Sequence, residues 1–335
     1  MFDGKKVLIT GGTGSLGKAL TKKILETKVD TIRIFSRDEL KQINMQSEIH
    51  DERLRFLIGD VREKDRLEMA LEDIDIVIHA AALKHVPVAE YNPFEAVKTN
   101  VYGAQNLIES CLRKNVKLAL AIGTDKAVAP LNTYGATKLL MERLFISANY
   151  YKGKHETKFL CVRYGNVLGS RGSIVPLFVH QIKTGKKITI TDPSMTRFNI
   201  TMKQALELIF RALESAYGGE VYIPKLKAYK VGDIKEAILN LMKSKDNSIR
   251  IPVRPGEKYH ESLISGDEIR NSFETKEDYL LLEEQIQNEI KPESIGLIKS
   301  NLNDRYSSDH VKLLTIDELK EILIDEKLIP KKLTE

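Results

Sequence analysis

Five residues near the middle of the chain have the types and spacing of an acid–base site. Thr124, Asp125 and Lys126 are consecutive, and Tyr134 and Lys138 follow as a Tyr-x-x-x-Lys pair. On a helix, positions i and i+4 share one face, so the Lys138 ammonium would stand beside the Tyr134 phenol. A neighbouring cation favours the phenolate, because it lowers the pKa of a tyrosine from its free value of about 10. Tyr134 is therefore a candidate base for an alcohol proton, and the Thr124 hydroxyl is a candidate hydrogen-bond partner of the same alcohol.

A glycine-rich stretch near the N-terminus has the features of a dinucleotide cradle. Residues 10–17 are T-G-G-T-G-S-L-G, after the apolar run K-V-L-I-T and before a helical pattern. Glycine permits a tight turn and a close approach to a pyrophosphate, and the next helix offers free N–H groups at its N-terminus. The expected cofactor contacts here are Gly11, Thr13, Gly14, Ser15, Leu16 and Gly17.

The ends of three further strand patterns complete the predicted cofactor site. The second strand ends in Ser36-Arg37, where an NAD-binding protein usually has an acid for the ribose. A serine and an arginine suit a 2′-phosphate instead, so the prediction is NADP rather than NAD, although Asp38 and Glu39 follow directly. The third strand pattern ends in Asp60-Val61, beside the expected adenine. The fourth ends in small residues that would lie under the ribose and nicotinamide, Ala80, Ala81 and Ala82.

The elements that must position these residues alternate between strand and helix patterns. Strands are predicted at 6–10, 31–35, 54–58, 74–81, 117–122 and 159–164, and helical stretches lie between them. This alternation predicts an α/β fold with a Rossmann-type doubly wound parallel sheet. After about residue 170, short strands at 188–191, 220–224 and 248–253 mix with helices at 202–217, 230–244 and 316–327. The predicted division is a dinucleotide-binding domain at 1–170, with returning segments from later in the chain, and a smaller C-terminal α/β substrate lobe at 171–335.

Composition excludes several classes of function. The 335 residues carry 52 Lys and Arg against 47 Asp and Glu, without a basic run typical of nucleic-acid binding. Cys111 and Cys161 fall in a helix and a strand pattern, so both are expected to be buried free thiols without metal-ligand spacing. No apolar run approaches the roughly 20 residues of a membrane span, and no signal peptide is recognisable. The expectation is a cytoplasmic protein without a metal, nucleic-acid or membrane partner.

Together these motifs resemble those of the extended short-chain dehydrogenases/reductases. Most members that act as nucleotide-sugar 4,6-dehydratases carry Thr-Asp-Glu, and a Lys in the third position is similar to the inverting UDP-N-acetylglucosamine 4,6-dehydratases. Keeping Tyr134, where a sister group tends to have Met, favours the type that opens pseudaminic acid synthesis. The resemblance extends to about residue 265 through 81–93 (A-A-L-K-H-V-P-V-A-E-Y-N-P), 163–176 (R-Y-G-N-V-L-G-S-R-G-S-I-V-P), 191–198 (T-D-P-S-M-T-R-F) and 254–261 (R-P-G-E-K-Y-H-E), with a weaker echo at 306–309 (Y-S-S-D).

The resemblance implies a reaction and a role for each residue. UDP-N-acetylglucosamine would be oxidised at C4 by a bound, recycled NADP, would lose water across C5–C6, and would be reprotonated at C5 with inversion. Tyr134 would take the C4 hydroxyl proton, Lys126 the C5 proton, and Asp125 would protonate the leaving hydroxyl. Nearby positive charge from Lys138 is expected to lower the pKa of Lys126, and an apolar site to raise that of Asp125. The resemblance adds Val167 to the cofactor contacts and assigns to the substrate Lys84, Asn166, Arg171, Val175, Phe178, Arg197, Arg254 and Glu257.

Three alternatives remain open at the level of sequence. A nucleotide-sugar epimerase would use the same transient C4 ketone, and a dehydratase of capsule or lipopolysaccharide synthesis could also epimerise its product. A non-catalytic NADP-binding sensor on the same fold is the alternative of another class, although it would have no use for Tyr134 and Lys138. A homo-oligomer is expected from the resemblance.

Overall fold

The computed structural model describes residues 1–329, so residues 330–335 of the predicted substrate lobe lie outside the described part. Within residues 1–329 the α-helices are α1 (Ser15–Leu25), α2 (Glu39–Glu48), α3 (Lys64–Ala70), α4 (Val86–Tyr91), α5 (Pro93–Val97), α6 (Gly103–Arg113), α7 (Thr133–Tyr151), α8 (Ile174–Lys183), α9 (Met202–Glu214), α10 (Val231–Leu241), α11 (Glu284–Ile290) and α12 (Ile316–Asp325). The strands are β1 (Lys6–Thr10), β2 (Thr31–Ser36), β3 (Leu54–Ile58), β4 (Ile76–His79), β5 (Leu118–Ile122), β6 (Lys158–Val162), β7 (Thr189–Ile190), β8 (Thr196–Phe198), β9 (Glu220–Pro224), β10 (Ala228–Lys230), β11 (Ile249–Arg250), β12 (Ser262–Ile264), β13 (Ser272–Glu274), β14 (Asp278–Leu282), β15 (Ile298–Lys299) and β16 (Tyr306–Ser307).

A ten-stranded sheet forms the centre of the molecule, in the order β15-β13-β14-β9-β6-β5-β4-β1-β2-β3. The seven strands from β9 to β3 pair in parallel, and β14, β13 and β15 extend the edge in antiparallel pairs. The order β3-β2-β1-β4-β5-β6 reverses direction between β1 and β4, which is the position where doubly wound sheets bind ligands at the carboxyl ends of their strands. The predicted Rossmann-type fold is confirmed.

Two hydrophobic cores lie in this architecture. The larger follows the central sheet, whose β1, β4 and β6 bury nearly every residue, as parallel strands covered on both faces do. A smaller core joins α8, α10 and α12 through residues such as Phe178, Ile238 and Leu319. No helix within residues 1–329 is long and apolar enough to cross a membrane.

Most of the predicted elements are present, with shifts at their ends. The first six predicted strands all occur, although the fourth spans only Ile76–His79. The strand at 220–224 does not stand in the second lobe as expected, because β9 pairs with β6 and continues the central sheet. The strand predicted at 248–253 is reduced to Ile249–Arg250. Both cysteines are buried free thiols, as predicted.

Candidate active site

A tight turn after β5 carries the first three residues of the site. Gly123 N–H donates to the Val162 carbonyl at 2.6 Å, and Asp125 N–H to the Tyr164 carbonyl at 3.1 Å, so the chain stays beside β6 beyond the end of β5. A single 3₁₀ turn, Asp125–Ala127, follows with Thr124 as its N-cap. Thr124 and Asp125 are buried, and both therefore sit at the carboxyl end of the sheet, close to the reversal of strand order.

Helix α7 is placed directly against this turn by two local features. The Asn132 side chain caps the helix by accepting from Gly135 N–H at 2.8 Å. Gly135 has no side chain to keep the helix away, and a Cβ there would lie 2.1 Å from the Lys126 carbonyl oxygen. The close approach brings Tyr134 to the turn, where it lines the same cleft as Thr124. The structure thus brings together the residues at 124–126 and 134 that the sequence predicts as one site.

A buried charge cluster surrounds Lys126. Its Nζ lies 3.0 Å from Asp125 Oδ1 and 3.3 Å from Glu261 Oε1. Burial raises the pKa of Asp125, with the charge of Glu261 in the same direction, in agreement with the expectation from the sequence. The prediction for Lys126 is wrong: burial lowers its pKa, but Asp125 and Glu261 outweigh that effect and raise it. Lys126 is therefore held as an ammonium in this arrangement.

The Tyr-x-x-x-Lys pair also differs from its expected electrostatics. Burial raises the pKa of Tyr134, and the opposing influences come from Lys126 and Thr124. The Lys138 ammonium turns away along the helix and donates to Met141 Sδ at 2.8 Å. Burial lowers the pKa of Lys138 itself to about 8. The expectation that Lys138 favours the Tyr134 phenolate is thus not met here, because Lys126 is the cation that acts on Tyr134.

The glycine-rich stretch forms a deep cleft between β1 and β4. A Cβ on Gly11 would lie 2.8 Å from the Ala81 backbone, and one on Gly17 would lie 2.4 Å from the Gly12 carbonyl oxygen. The N-cap of α1 is Gly14, whose missing side chain leaves the first N–H groups of the helix open to an anion. The predicted cofactor residues that line this cleft or its continuation are Gly11, Thr13, Gly14, Ser15, Leu16, Gly17, Ser36, Arg37, Asp60, Val61, Ala80, Ala81, Ala82, Tyr134, Lys138 and Val167.

The far end of this cleft carries several charges. Arg37 and Arg62 both contact Asp60 Oδ2, at 3.4 and 2.7 Å. Burial by itself would raise the pKa of Asp60. Its hydrogen bonds with Arg62 and the charge of Arg37 outweigh that effect, so the pKa is lowered. Lys41, which the sequence analysis missed, lines the same wall and pairs with Asp38 at 2.5 Å. The cleft therefore ends in a cationic rim next to β2.

A second cavity adjoins the first and lies in the smaller lobe. Asn166 and Val167 line both cavities, so the two lie next to each other at these residues. Five of the predicted substrate residues line the second cavity, namely Asn166, Phe178, Arg197, Arg254 and Glu257. Arg197 Nη2 lies 3.3 Å from Glu257 Oε1, which fixes the guanidinium at the cavity wall.

Three predicted substrate residues lie elsewhere. Lys84 and Arg171 line the first cleft, where Lys84 Nζ donates to the Arg171 carbonyl at 3.0 Å. Arg171 N–H also approaches Ser15 Oγ at 3.5 Å, so its loop crosses the glycine-rich cradle. Val175 is 1% exposed and packs in the core of the smaller lobe.

Besides Lys41, sequence reasoning missed two residues next to the acid–base cluster, Glu261 and Lys258. Lys258 Nζ donates to the Val128 carbonyl, and its pKa is lowered by burial, while the charges of Glu261 and Asp125 oppose that shift. Both residues belong to the stretch R-P-G-E-K-Y-H-E at 254–261, of which only Arg254 and Glu257 were assigned. The available signal was that this stretch holds four more charged or titratable groups, Lys258, Tyr259, His260 and Glu261.

Comparison with known proteins agrees with this geometry. A family described as "Polysaccharide biosynthesis protein" matches residues 7–283. The chain belongs to this family.

Members of the polysaccharide biosynthesis family with high similarity include named enzymes. A protein of Campylobacter jejuni named "UDP-N-acetylglucosamine 4,6-dehydratase (inverting)" is 45% identical, over 96% of this chain and 98% of its own length. A "UDP-glucose 4-epimerase" of Rickettsia prowazekii is 40% identical over 99% of both chains. The X-ray structure of Pen from Bacillus thuringiensis superposes with a TM-score of 0.92 at 40% identity, over 98% of this chain and all of that one.

Proposed function

We propose that this chain is an inverting UDP-N-acetylglucosamine 4,6-dehydratase, a hydro-lyase that forms UDP-2-acetamido-2,6-dideoxy-β-L-arabino-hex-4-ulose. One observation carries the proposal: Asp125, Lys126 and Tyr134 form one largely buried group at the carboxyl end of β5, and Tyr134 and Thr124 line the first cleft. A plain hydride transfer needs only the tyrosine. An acid and a base next to it are what an elimination of water requires.

The first cleft fits a nicotinamide dinucleotide. Its floor is made of Gly11, Gly14 and Ala80–Ala82. A side chain at position 11 would collide with the backbone of Ala80 and Ala81, which follow β4. The open N-terminus of α1 suits the pyrophosphate. When bound there, the dinucleotide would supply reversible hydride transfer, accepting a hydride from C4 of the sugar and returning it to C6 after the elimination, while C5 takes a proton. Ser36, Arg37 and Lys41 at the cationic rim support NADP over NAD, because a 2′-phosphate needs such partners.

The second cavity fits the nucleoside diphosphate of the substrate. Arg197 and Arg254 on its wall offer forked donors for phosphate oxygens, and Phe178 offers an apolar surface for the base. Asn166 stands at the connection to the first cleft. A UDP-sugar bound in this cavity would extend its hexose toward Tyr134 and the Asp125–Lys126 pair.

The charge cluster allows a proton-balanced elimination. The ion pair of Lys126 and Asp125 becomes a neutral amine and a neutral acid when one proton moves across the 3.0 Å between Nζ and Oδ1. With Thr124 orienting the alcohol, Tyr134 in its phenolate form accepts the C4 hydroxyl proton and becomes the phenol. Lys126 Nζ then takes the C5 proton, and the electron pair of that C–H bond moves toward C6 as the C6 hydroxyl leaves. Asp125 donates its proton to that hydroxyl, so water departs and the ion pair is restored.

The runner-up is a nucleotide-sugar 4-epimerase, favoured by the Rickettsia relative of that name. A 4-epimerase needs Tyr134 and the dinucleotide, but the Asp125–Lys126 pair would have no task in it. Assembly with copies of itself and a cytoplasmic location remain predictions from the sequence.

Proton NMR of UDP-N-acetylglucosamine incubated with the protein in deuterated water tests the proposal. We expect a new C6 methyl signal, deuterium at C5 and the coupling constants of the L-arabino configuration. The matched control is Lys126→Met, which should abolish the methyl signal. A methyl product with unchanged C5 configuration would contradict the inversion, and a C4 epimer without a methyl signal would replace the dehydratase by the epimerase.

A further inference from the structure

Glu261 is a buried carboxylate at the site whose role none of the motifs explains. It is 2% exposed, and its Oε1 lies 3.3 Å from Lys126 Nζ, opposite Asp125. The Arg197 guanidinium is the next cation, with Nε at 3.9 Å from the same oxygen. Its second oxygen, Oε2, is buried without a hydrogen-bond partner among residues 1–329. A buried carboxylate oxygen without a hydrogen-bond partner lowers the stability of the fold, so the presence of Glu261 at this position calls for a functional reason.

The backbone of Glu261 is fixed from a distant part of the chain. Its N–H donates to Ser308 Oγ at 2.9 Å, and its carbonyl accepts from Ser308 N–H at 2.8 Å. Ser308 Oγ also contacts the Thr196 hydroxyl oxygen, Oγ1, at 2.7 Å. The Nδ1 atom of His260 contacts the same Thr196 oxygen at 2.8 Å. Through these contacts the Y-S-S-D stretch at 306–309 holds the backbone of Glu261 in place, and its carboxylate therefore stays next to Lys126.

We propose that Glu261 is the positioning residue of Lys126, which aims the amine and retains the C5 proton on it after elimination. This inference rests on the proposed dehydratase function. The elimination ends with Lys126 as an ammonium and Asp125 as a carboxylate, which is the arrangement that Glu261 stabilises. A retained ammonium is a poor acid, so it does not return its proton to the face of C5 from which the proton came. Reprotonation from the opposite face, which inverts C5, is thereby favoured.

The negative charge of Glu261 also determines how the rate depends on pH. The ion pair and the reactive neutral pair hold the same number of protons, so activity should follow a bell bounded by two apparent pKa values of the coupled cluster. The negative charge of Glu261 raises the pKa of both Asp125 and Lys126. Loss of that charge should therefore move both limbs to lower pH. The other charged or titratable groups facing the cluster are Arg197 from β8, Lys258 from the segment of Glu261, Tyr134 from α7 and Tyr229 from β10.

The test compares Glu261→Gln, which keeps the shape of the side chain and removes its charge, with Asp278→Asn. Asp278 is a buried carboxylate that pairs with Arg211 at 2.7 Å, and it lines neither cavity. For Glu261→Gln we expect both limbs of the kcat profile to fall, the alkaline limb by about three to four pH units, from the Coulomb energy of a unit charge at the 3.3 Å between Glu261 Oε1 and Lys126 Nζ in an effective dielectric of about 20. In deuterated water, a fraction of the methyl product should carry the retained C5 configuration. Asp278→Asn should change the melting temperature but neither readout.

Each outcome separates this inference from the proposed function. If wild-type protein forms no methyl product, the dehydratase function fails. If wild type forms the inverted product and Glu261→Gln shows the same pH limbs and the same configuration, the role of Glu261 is refuted and the dehydratase stands. A Glu261→Gln protein that melts too low to assay is replaced by Glu261→Asp. That variant keeps the charge on a shorter side chain, so the inference requires wild-type pH limbs with a lower kcat; shifted limbs would contradict it.

Discussion

Replacing Gly135 by alanine tests whether the close contact between α7 and the 125–127 turn creates the active site. Gly135 follows Tyr134, and its N–H is already used in the Asn132 cap. The added Cβ would lie 2.1 Å from the Lys126 carbonyl oxygen and 3.1 Å from Pro130 Cβ. The first contact involves backbone on both sides, so no side-chain rotation relieves it.

The expected loss follows from this overlap. To restore even 3.0 Å, the start of α7 must retreat from the turn by about 0.9 Å, and a displacement of about 1 Å at reacting groups lowers rates roughly 100-fold. That corresponds to about 2.7 kcal/mol in the activation free energy. The cost to folding is smaller, because overpacking of about 1–3 kcal/mol is partly offset by the roughly 0.5–1 kcal/mol that alanine gains over glycine in a helix.

The assay is the initial rate of methyl product formation from UDP-N-acetylglucosamine, measured alongside thermal unfolding by circular dichroism. Gly266→Ala is the matched control, since a Cβ there meets no atom within 4 Å and the glycine has no left-handed backbone. We expect Gly135→Ala to remain folded with a kcat reduced about 100-fold, and Gly266→Ala to resemble wild type. A Gly135→Ala protein as active as wild type would refute the reasoning, because the spacing of α7 and the turn would then not limit catalysis.

Three further predictions concern the cofactor, the fold and pH. Arg37→Met should weaken binding of NADP⁺ by roughly tenfold to 100-fold through loss of a charge-assisted hydrogen bond, and leave NAD⁺ binding nearly unchanged, as measured by calorimetry with both dinucleotides; equal losses for the two would contradict the role at the 2′-phosphate. Arg163→Met should lower the free energy of unfolding in urea by about 3–5 kcal/mol, because it leaves the buried carboxylate of Glu142 and the partly buried carboxylate of Glu268 without their cation. Arg143→Met, which breaks a half-exposed pair with Glu283, should cost at most about 1 kcal/mol. Burial lowers the pKa of Lys138 from 10.5 to about 8, so the unfolded chain binds more protons than the folded one between these values, and stability from this group rises with pH across that window. Lys138→Met should remove that rise and stabilise the protein at pH 7. The measurement is the free energy of unfolding in urea of wild type and variant between pH 7 and 10.5. If the two free energies changed with pH in the same way, the burial of the ammonium would be contradicted.

Local patterns in the sequence were sufficient for the parts of the site that are built from single segments. The turn at 10–17 needs glycine because backbone approaches backbone, as the short Cβ distances at Gly11 and Gly17 show. Tyr134 and Lys138 were placed on one helix by their spacing. The lining of the first cleft followed from strand ends, since parallel strands present their carboxyl ends to the same edge.

Contacts between distant segments were not readable in the same way. The apolar pattern of β9 at 220–224 would suit a strand of the small lobe as well as a strand of the central sheet. Only the pairing of β9 with β6 shows that it belongs to the central sheet. Arg171 was assigned to the substrate, yet its loop folds across Ser15 on the glycine-rich cradle. Val175 carries no polar group that could have distinguished a cavity wall from a core.

The residue types of the acid–base site were therefore determined by the sequence, and their charge states by the tertiary structure. An adjacent Asp125 and Lys126 indicate an acid and a base, but a pKa depends on burial and on every charge nearby. Glu261 lies 135 positions after Lys126, and it is held there because Ser308, which itself contacts Thr196, fixes its backbone. Together with the adjacent Asp125, its carboxylate raises the pKa of Lys126, and no local pattern around residue 126 could predict the contribution of Glu261.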